Sequence, residues 1–220
     1  MPMISVTGES PVALEVLQAA PETYQQSQIE LLLGVMAAND LELCAHGRRT
    51  ASYAVALGTT VGLSGADVLD LYLAALLHDI GRLTLSTELL RKQEPLTAEE
   101  YTLVQCHPRA GAELLEPIPF LRIPAVLIAL HHERWDGTGY PYGVRGSFIP
   151  LGSRILAVAD TFDALTSSHF HGQPQSPETA LRLLQVAAGS QLDPDLVEMF
   201  VRLVPAFRAS HGTGSAADGD

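Results

Sequence analysis

Cysteine is scarce in this chain: Cys44 and Cys106 are the two in 220 residues. That is too few for a disulfide framework, and they lie too far apart for a zinc knuckle, so they read as small buried thiols in a reducing compartment. Basic residues are also in short supply. The 13 Lys and Arg stand against 25 Asp and Glu, a formal charge of −12, with no basic stripe to offset it. Binding to long nucleic acid through phosphate neutralisation is thereby excluded. No apolar run, the stretch around Ala125–Leu130 included, reaches the ~20 residues of a membrane span. The N-terminus has no basic segment leading into an apolar stretch and a cleavage site, so no secretory leader is expected. Charged residues make up only 17% against 47% hydrophobic, which excludes a polyelectrolyte chain and calls for a well-buried core. The expectation is a cytoplasmic protein without membrane insertion.

What is abundant is helical signal. Ser64 three residues before Asp67, Thr97 three before Glu100, and the pairs Ser176–Pro177 and Asp193–Pro194 are helix starts. Apolar residues at helical spacing cover Ile29–Met36 and Leu41–Leu57, separated by Asn39–Asp40. A helix from Ser64 is predicted to run into His78 and end at Gly81, one from Thr97 to be interrupted at Pro108, and others to open at Pro124 and Pro150. No alternating run of β-branched residues competes, so the fold class is all-α, a single helical-bundle domain over residues 26–207. Residues 1–25 are expected to be a loosely ordered arm and 208–220 a disordered tail. One long irregular stretch, Trp135–Ile149, is rich in Gly and Pro, and loops of that length in a compact domain usually carry function.

Polar residues at the ends or on the inner faces of otherwise apolar helices need a reason to be there. Glu42 and His46 are four apart on one helical face; His78–Asp79 follows the apolar run Leu71–Leu77; His131 and His132 end another apolar helix; Asp160 closes the segment ILAVAD; and His107 precedes Pro108. An unpaired carboxylate among such neighbours as those of Asp160 is costly and calls for a cation. Five of the 8 histidines and three acids are placed in this way. Mixed imidazole and carboxylate donors suit first-row metals such as Fe, Mn or Zn, and eight donors exceed what one ion can use. Two or three metals are implied, with a carboxylate such as Asp79 shared between ions ~4 Å apart.

The runs HDIGR (His78–Arg82), LTAEE (Leu96–Glu100), His107–Pro108, HHERWDGTGYP (His131–Pro141), IPLGSRILAVAD (Ile149–Asp160) and FDALTS (Phe162–Ser167) resemble the HD-GYP family, a branch of the HD metal-dependent phosphohydrolases. The resemblance covers roughly residues 28–203 in order. It implies a helical domain with a di- or trinuclear centre, of iron or manganese with zinc as a further option, that hydrolyses a bacterial cyclic dinucleotide, chiefly cyclic di-GMP. The ligands would be His46, His78, Asp79, His107, His131, His132 and Asp160, with Glu42 resembling the extra glutamate of trinuclear members. Asp79, Arg82 and Asp163 take the catalytic positions. In the GYP loop, Gly139, Tyr140 and Pro141 would face substrate, with Tyr140 and Trp135 offering flat surfaces to a base. Arg109, Arg134 and Arg145 are candidate phosphate contacts, against the ordinary role of a solvated arginine.

Three departures bear on activity. Arg82 stands where the family has lysine, and a guanidinium is a poor proton donor; an Arg82–Asp163 pair is the natural expectation. After FDALTS the chain reads Ser168, His169, Phe170, His171, Gly172 instead of an acidic and then a basic, proline-containing stretch. No sensory domain is expected before the helical domain, which leaves regulation to the arm, to a homodimer or regulatory partner, or to the supply of metal and substrate. A related phosphohydrolase acting on another nucleotide, and a catalytically weak cyclic-dinucleotide sensor or interaction module, are the alternative readings.

Overall fold

The computed structural model describes residues 24–90, 92, 94–167 and 173–211, side chains of 205–211 excepted. Nearly all of the expected arm, the end of the expected tail and the segment 168–172 lie outside these residues. Among the described residues ten α-helices follow one another: α1 Tyr24–Asn39, α2 Leu41–Thr60, α3 Gly65–Leu77, α4 Thr87–Leu90, α5 Ala98–Val104, α6 His107–Leu115, α7 Arg122–Ala129, α8 Leu151–Thr166, α9 Pro177–Ala187 and α10 Pro194–His211. Short 3₁₀ turns sit at Ile80–Thr84, Pro119–Leu121 and Gly146–Phe148. Among the described residues there is no strand, only an isolated bridge between Ala188 and Leu192. No described helix is long and apolar enough to cross a membrane.

Cap chemistry sets the helix starts. The Asp40 carboxylate accepts from the amides of Glu42 and Leu43 at 2.9 and 3.3 Å, Ser64 Oγ from Asp67 at 3.2 Å, and Ser176 Oγ from Thr179 at 3.2 Å. Thr97 and Glu100 form a reciprocal capping box, so the first-turn amides that lack intrahelical partners are satisfied by side chains.

The second half of α3, Leu71–Leu77, is buried on every side. A helix apolar all round must be enclosed, and α3 packs against α2, α7 and α8. Farther along the bundle, Tyr53 of α2, Phe162 of α8 and Phe200 of α10 meet edge to face at centroid separations of 5.0 to 6.0 Å.

Two glycines let the backbones approach where the polar residues lie. A Cβ on Gly47 would stand 2.6 Å from the Leu76 carbonyl oxygen, and one on Gly81 would stand 2.0 Å from that of His107. The first contact seats α2 on the end of α3, and the second seats α6 on the turn that follows it.

Four local expectations are corrected. The helix that starts at Ser64 ends at Leu77, because the Arg82 amide bonds back to the Asp79 carbonyl at 2.9 Å and tightens the chain into a 3₁₀ turn. Pro108 is inside the first turn of α6 rather than at a kink. Pro124 is the third residue of α7, where its missing N–H leaves no intrahelical bond unmade. Cys44 is buried, but Cys106, in the link between α5 and α6, is exposed.

Candidate metal centre

Five segments converge behind α3. His46 comes from the middle of α2, His78 and Asp79 from the end of α3, His107 from the first turn of α6, His131 and His132 from just beyond α7, and Asp160 from α8. His46, His78, Asp79, His107 and His131 are buried, and His132 and Asp160 are partly so. His46 Nε2 lies 3.2 Å from His78 Nε2 and 3.0 Å from Asp160 Oδ1. Asp79 reaches both ways: Oδ2 stands 3.7 Å from His78 Nε2, and Oδ1 stands 3.2 Å from His107 Nε2. Donor atoms within 4.8 Å of one another form the sets His46–His78–Asp79, His78–His131–Asp160 and His107–His131–His132.

The backbone fixes which nitrogen faces inward. His78, His107 and His131 each place Nδ1 on the carbonyl oxygen three residues earlier, Ala75, Val104 and Ile128, at 2.8, 2.8 and 2.6 Å. Nδ1 must therefore carry a proton and donate it, so that the neutral form of each ring has its lone pair on the inward Nε2. His46 is held by Asp163, whose Oδ2 is 2.7 Å from Nδ1.

This arrangement fits bound cations. The Nε2 atoms of His107 and His131 are buried without a hydrogen-bond partner, and that of His107 faces a carboxylate oxygen at 3.2 Å. Lone pair against lone pair is repulsive unless a positive charge lies between. The titration behaviour points the same way. Burial, and then the neighbouring His107, push the His132 imidazole down to about 4, and burial with His132 and His78 beside it holds His131 well below the usual range, so both rings are neutral at pH 7, the form in which an imidazole can ligate. Burial would raise Asp79, but Arg82, His78 and His107 outweigh it and keep the carboxylate ionised. Burial would lower His46 and His78, but Asp160 and Asp163 outweigh it and lift His46 to about 10, and Asp79 and Asp160 raise His78, so that in both rings a proton takes the place beside the carboxylates that a cation would fill.

A cavity of about 600 Å³ opens over the cluster. Arg82 borders it and donates from Nη1 to Asp79 Oδ2 at 3.1 Å. The expected Arg82–Asp163 pair is not formed. Asp163 is buried behind His46, and its Oδ1 accepts from Arg49 Nε at 2.8 Å. Asp163 thus orients the His46 ring from its far side. Glu42 is likewise outside the cluster, because its Oε1 accepts from Arg49 Nη2 at 2.8 Å.

Of the substrate-facing candidates, Tyr140 borders the cavity with its ring 5.0 Å from that of His132, and burial pushes its phenol well up. Gly139 packs on the backbone of His132–Arg134, and Pro141 follows Tyr140 through a cis bond. Arg134 borders the cavity, with its guanidinium tied to Asp136 at 2.7 Å and Thr138 at 2.9 Å. Arg109 is exposed and paired with Glu113 at 2.7 Å, and Arg145 is exposed on the loop; neither borders the cavity. Trp135 anchors the loop, its amide donating to Gln191 O at 3.1 Å. Three residues went unseen in the sequence: Arg49, Lys92 on the cavity wall, and Glu133, buried with Oε1 accepting from the Tyr142 amide at 2.6 Å. Arg49 stands three residues after His46 on one helix face, a usable signal once Asp163 is known to lie opposite.

A family model described as an HD domain matches residues 32–196. A cyclic di-GMP phosphodiesterase of Vibrio cholerae serotype O1 is 34% identical over 212 residues, covering 90% of this chain and 43% of its own length. A 3'3'-cGAMP-specific phosphodiesterase 2 of the same organism is 33% identical over 172 residues, covering 77% of this chain and 33% of its own length. This chain therefore spans less than half of each. Among solved structures, an HDG"Y"P protein from Bdellovibrio bacteriovorus superposes with a TM-score of 0.64 at 20% identity, over 88% of this chain and 61% of that one, a likeness of fold.

Proposed function

The chain belongs to the HD domain family, in its HD-GYP branch, and from that membership we propose that it is a metal-dependent phosphodiesterase of cyclic dinucleotides, cyclic di-GMP foremost. The observation that carries the reading is the Asp79 carboxylate, with one oxygen toward His78 and the other toward His107 at the foot of an open cavity. His46, His78 and Asp160 would hold one ion, His107, His131 and His132 a second, and Asp79 both. Divalent iron or manganese bound there would supply Lewis acidity for in-line displacement at phosphorus.

The chain's own residues do the rest. Arg82, kept charged first by Asp79, is a fixed cation beside the reacting phosphate and stabilises charge on its oxygens rather than donating a proton. Tyr140 lies over His132 and presents a ring face to a base. Asp163 and the three backbone carbonyls hold the imidazoles in the tautomers that ligation needs.

Anaerobically purified, metal-loaded protein incubated with cyclic di-GMP and 3'3'-cGAMP tests this by chromatography of the products. Linear dinucleotide or mononucleotide should form from at least one, stop on chelation and resume on addition of Mn²⁺. Metal-replete protein that leaves both intact would overturn the reading.

A further inference from the structure

A cyclic dinucleotide carries two phosphodiesters. The metal centre and Arg82 account for the one that is cleaved, and the second needs its own cation in the cavity. Arg134 is on the loop just after His132, with Nε and Nη2 bonded to Asp136 and Thr138 of the same loop. Lys92 is placed differently. It lies on the segment between α4 and α5, on a wall of the cavity that also includes Leu89, Leu90 and Leu96. The same residue borders a second hollow of about 440 Å³ that contains Glu100.

Lys92 Nζ contacts both oxygens of Glu100, at 2.7 and 2.6 Å. Glu100 is in turn fixed by its capping role, with Oε2 accepting from the Thr97 amide at 2.7 Å. The first turn of α5 thus holds a carboxylate still, and the carboxylate holds an ammonium at the edge of the catalytic cavity. An ammonium has three donors, and the two contacts to Glu100 are the hydrogen bonds it makes among the described residues. Its side chain is 25% exposed, enough for an incoming anion to reach it without unfolding the wall. Glu100 lines the second hollow and not the catalytic cavity, so the wall of the catalytic cavity is a leucine surface with an ammonium set into it, which suits one half of the substrate, with base against apolar wall and phosphate on the cation.

From this we infer that Lys92 is a specificity-determining residue that binds the phosphate not being cleaved, with Glu100 as its positioning residue; the inference rests on the phosphodiesterase reading above. It follows that Lys92 separates substrates with two phosphates from those with one. In Lys92→Gln, the ratio of kcat/KM for cyclic di-GMP to kcat/KM for bis(p-nitrophenyl) phosphate should fall about tenfold, the loss of one charge-assisted hydrogen bond, and the fall should be in KM. Glu100→Gln keeps a capping side chain while removing the competing charge, so that ratio should hold or rise.

If the pair merely pins the wall, both variants will lower the ratio together. That result, or a ratio unmoved in Lys92→Gln, overturns the inference. Equilibrium binding of cyclic di-GMP to the metal-loaded full chain reads the same contrast without turnover. A Kd raised about tenfold in Lys92→Gln and not in Glu100→Gln supports the role of Lys92 even if wild type cleaves nothing. Wild type that cleaves the cyclic substrate with no dependence on Lys92 rejects the role and leaves the activity standing, and wild type that neither binds nor cleaves it rejects both.

Discussion

His46 is gripped at both nitrogens, by Asp160 on the ligand side and by Asp163 behind. Asp163 is itself held by Arg49, 37% exposed at the protein surface, which also takes Glu42. A chain of ionic contacts therefore runs from solvent to the His46 ring and orients it toward the cluster. Asp163→Asn keeps the shape but removes the charge that draws the Nδ1 proton. Metal affinity should drop by about 10- to 100-fold, the usual effect of losing a partner of this kind, as measured by competition with a chelator of known affinity. Unchanged affinity would show that the ring is held without the carboxylate. Glu42, taken by Arg49, stands outside the donor sets that could hold a metal.

At the scale of elements, the site depends on how closely three helices can approach. The Gly81 contact with the His107 carbonyl is the tightest of these approaches. Gly81→Ala should push α6 away, at an overpacking cost of ~1–3 kcal/mol, which lowers Tm by roughly 2–12 °C for a domain of this size. It should weaken metal binding as well, because His107 travels with α6. A thermal melt and a metal titration check the two effects, and an unmoved Tm would mean that α6 is not seated against the turn. Helix starts were legible in the sequence because caps are local: Ser64, Thr97 with Glu100, and Ser176 act within three residues of themselves. The histidines and acids were legible because buried polar groups on apolar helices need a partner. The partner of Asp163 was not, since both Arg82 and Arg49 are arginines of suitable charge and only the seating of α2 against α8 decides between them. Lys92 was hidden for the same reason, its value arising from a wall that no spacing rule describes.

For the whole molecule, the proposed substrate is an anion, and a chain of net charge −12 would need concentrated positive charge at one place to take it. The exposed Arg109 and Arg202 do not supply it, being paired with carboxylates on their own helices. Divalent ions bound as proposed above would supply it, since the donors around them are richer in imidazole than in carboxylate and would leave a net positive charge over the cavity. The sharing of Asp79 between two ligand groups is the centre of this arrangement, and metal stoichiometry tests it most directly. Elemental analysis of anaerobically purified chain should find two divalent ions per chain in wild type and fewer than one in Asp79→Ala. A single ion per chain, retained undiminished in Asp79→Ala, would contradict it.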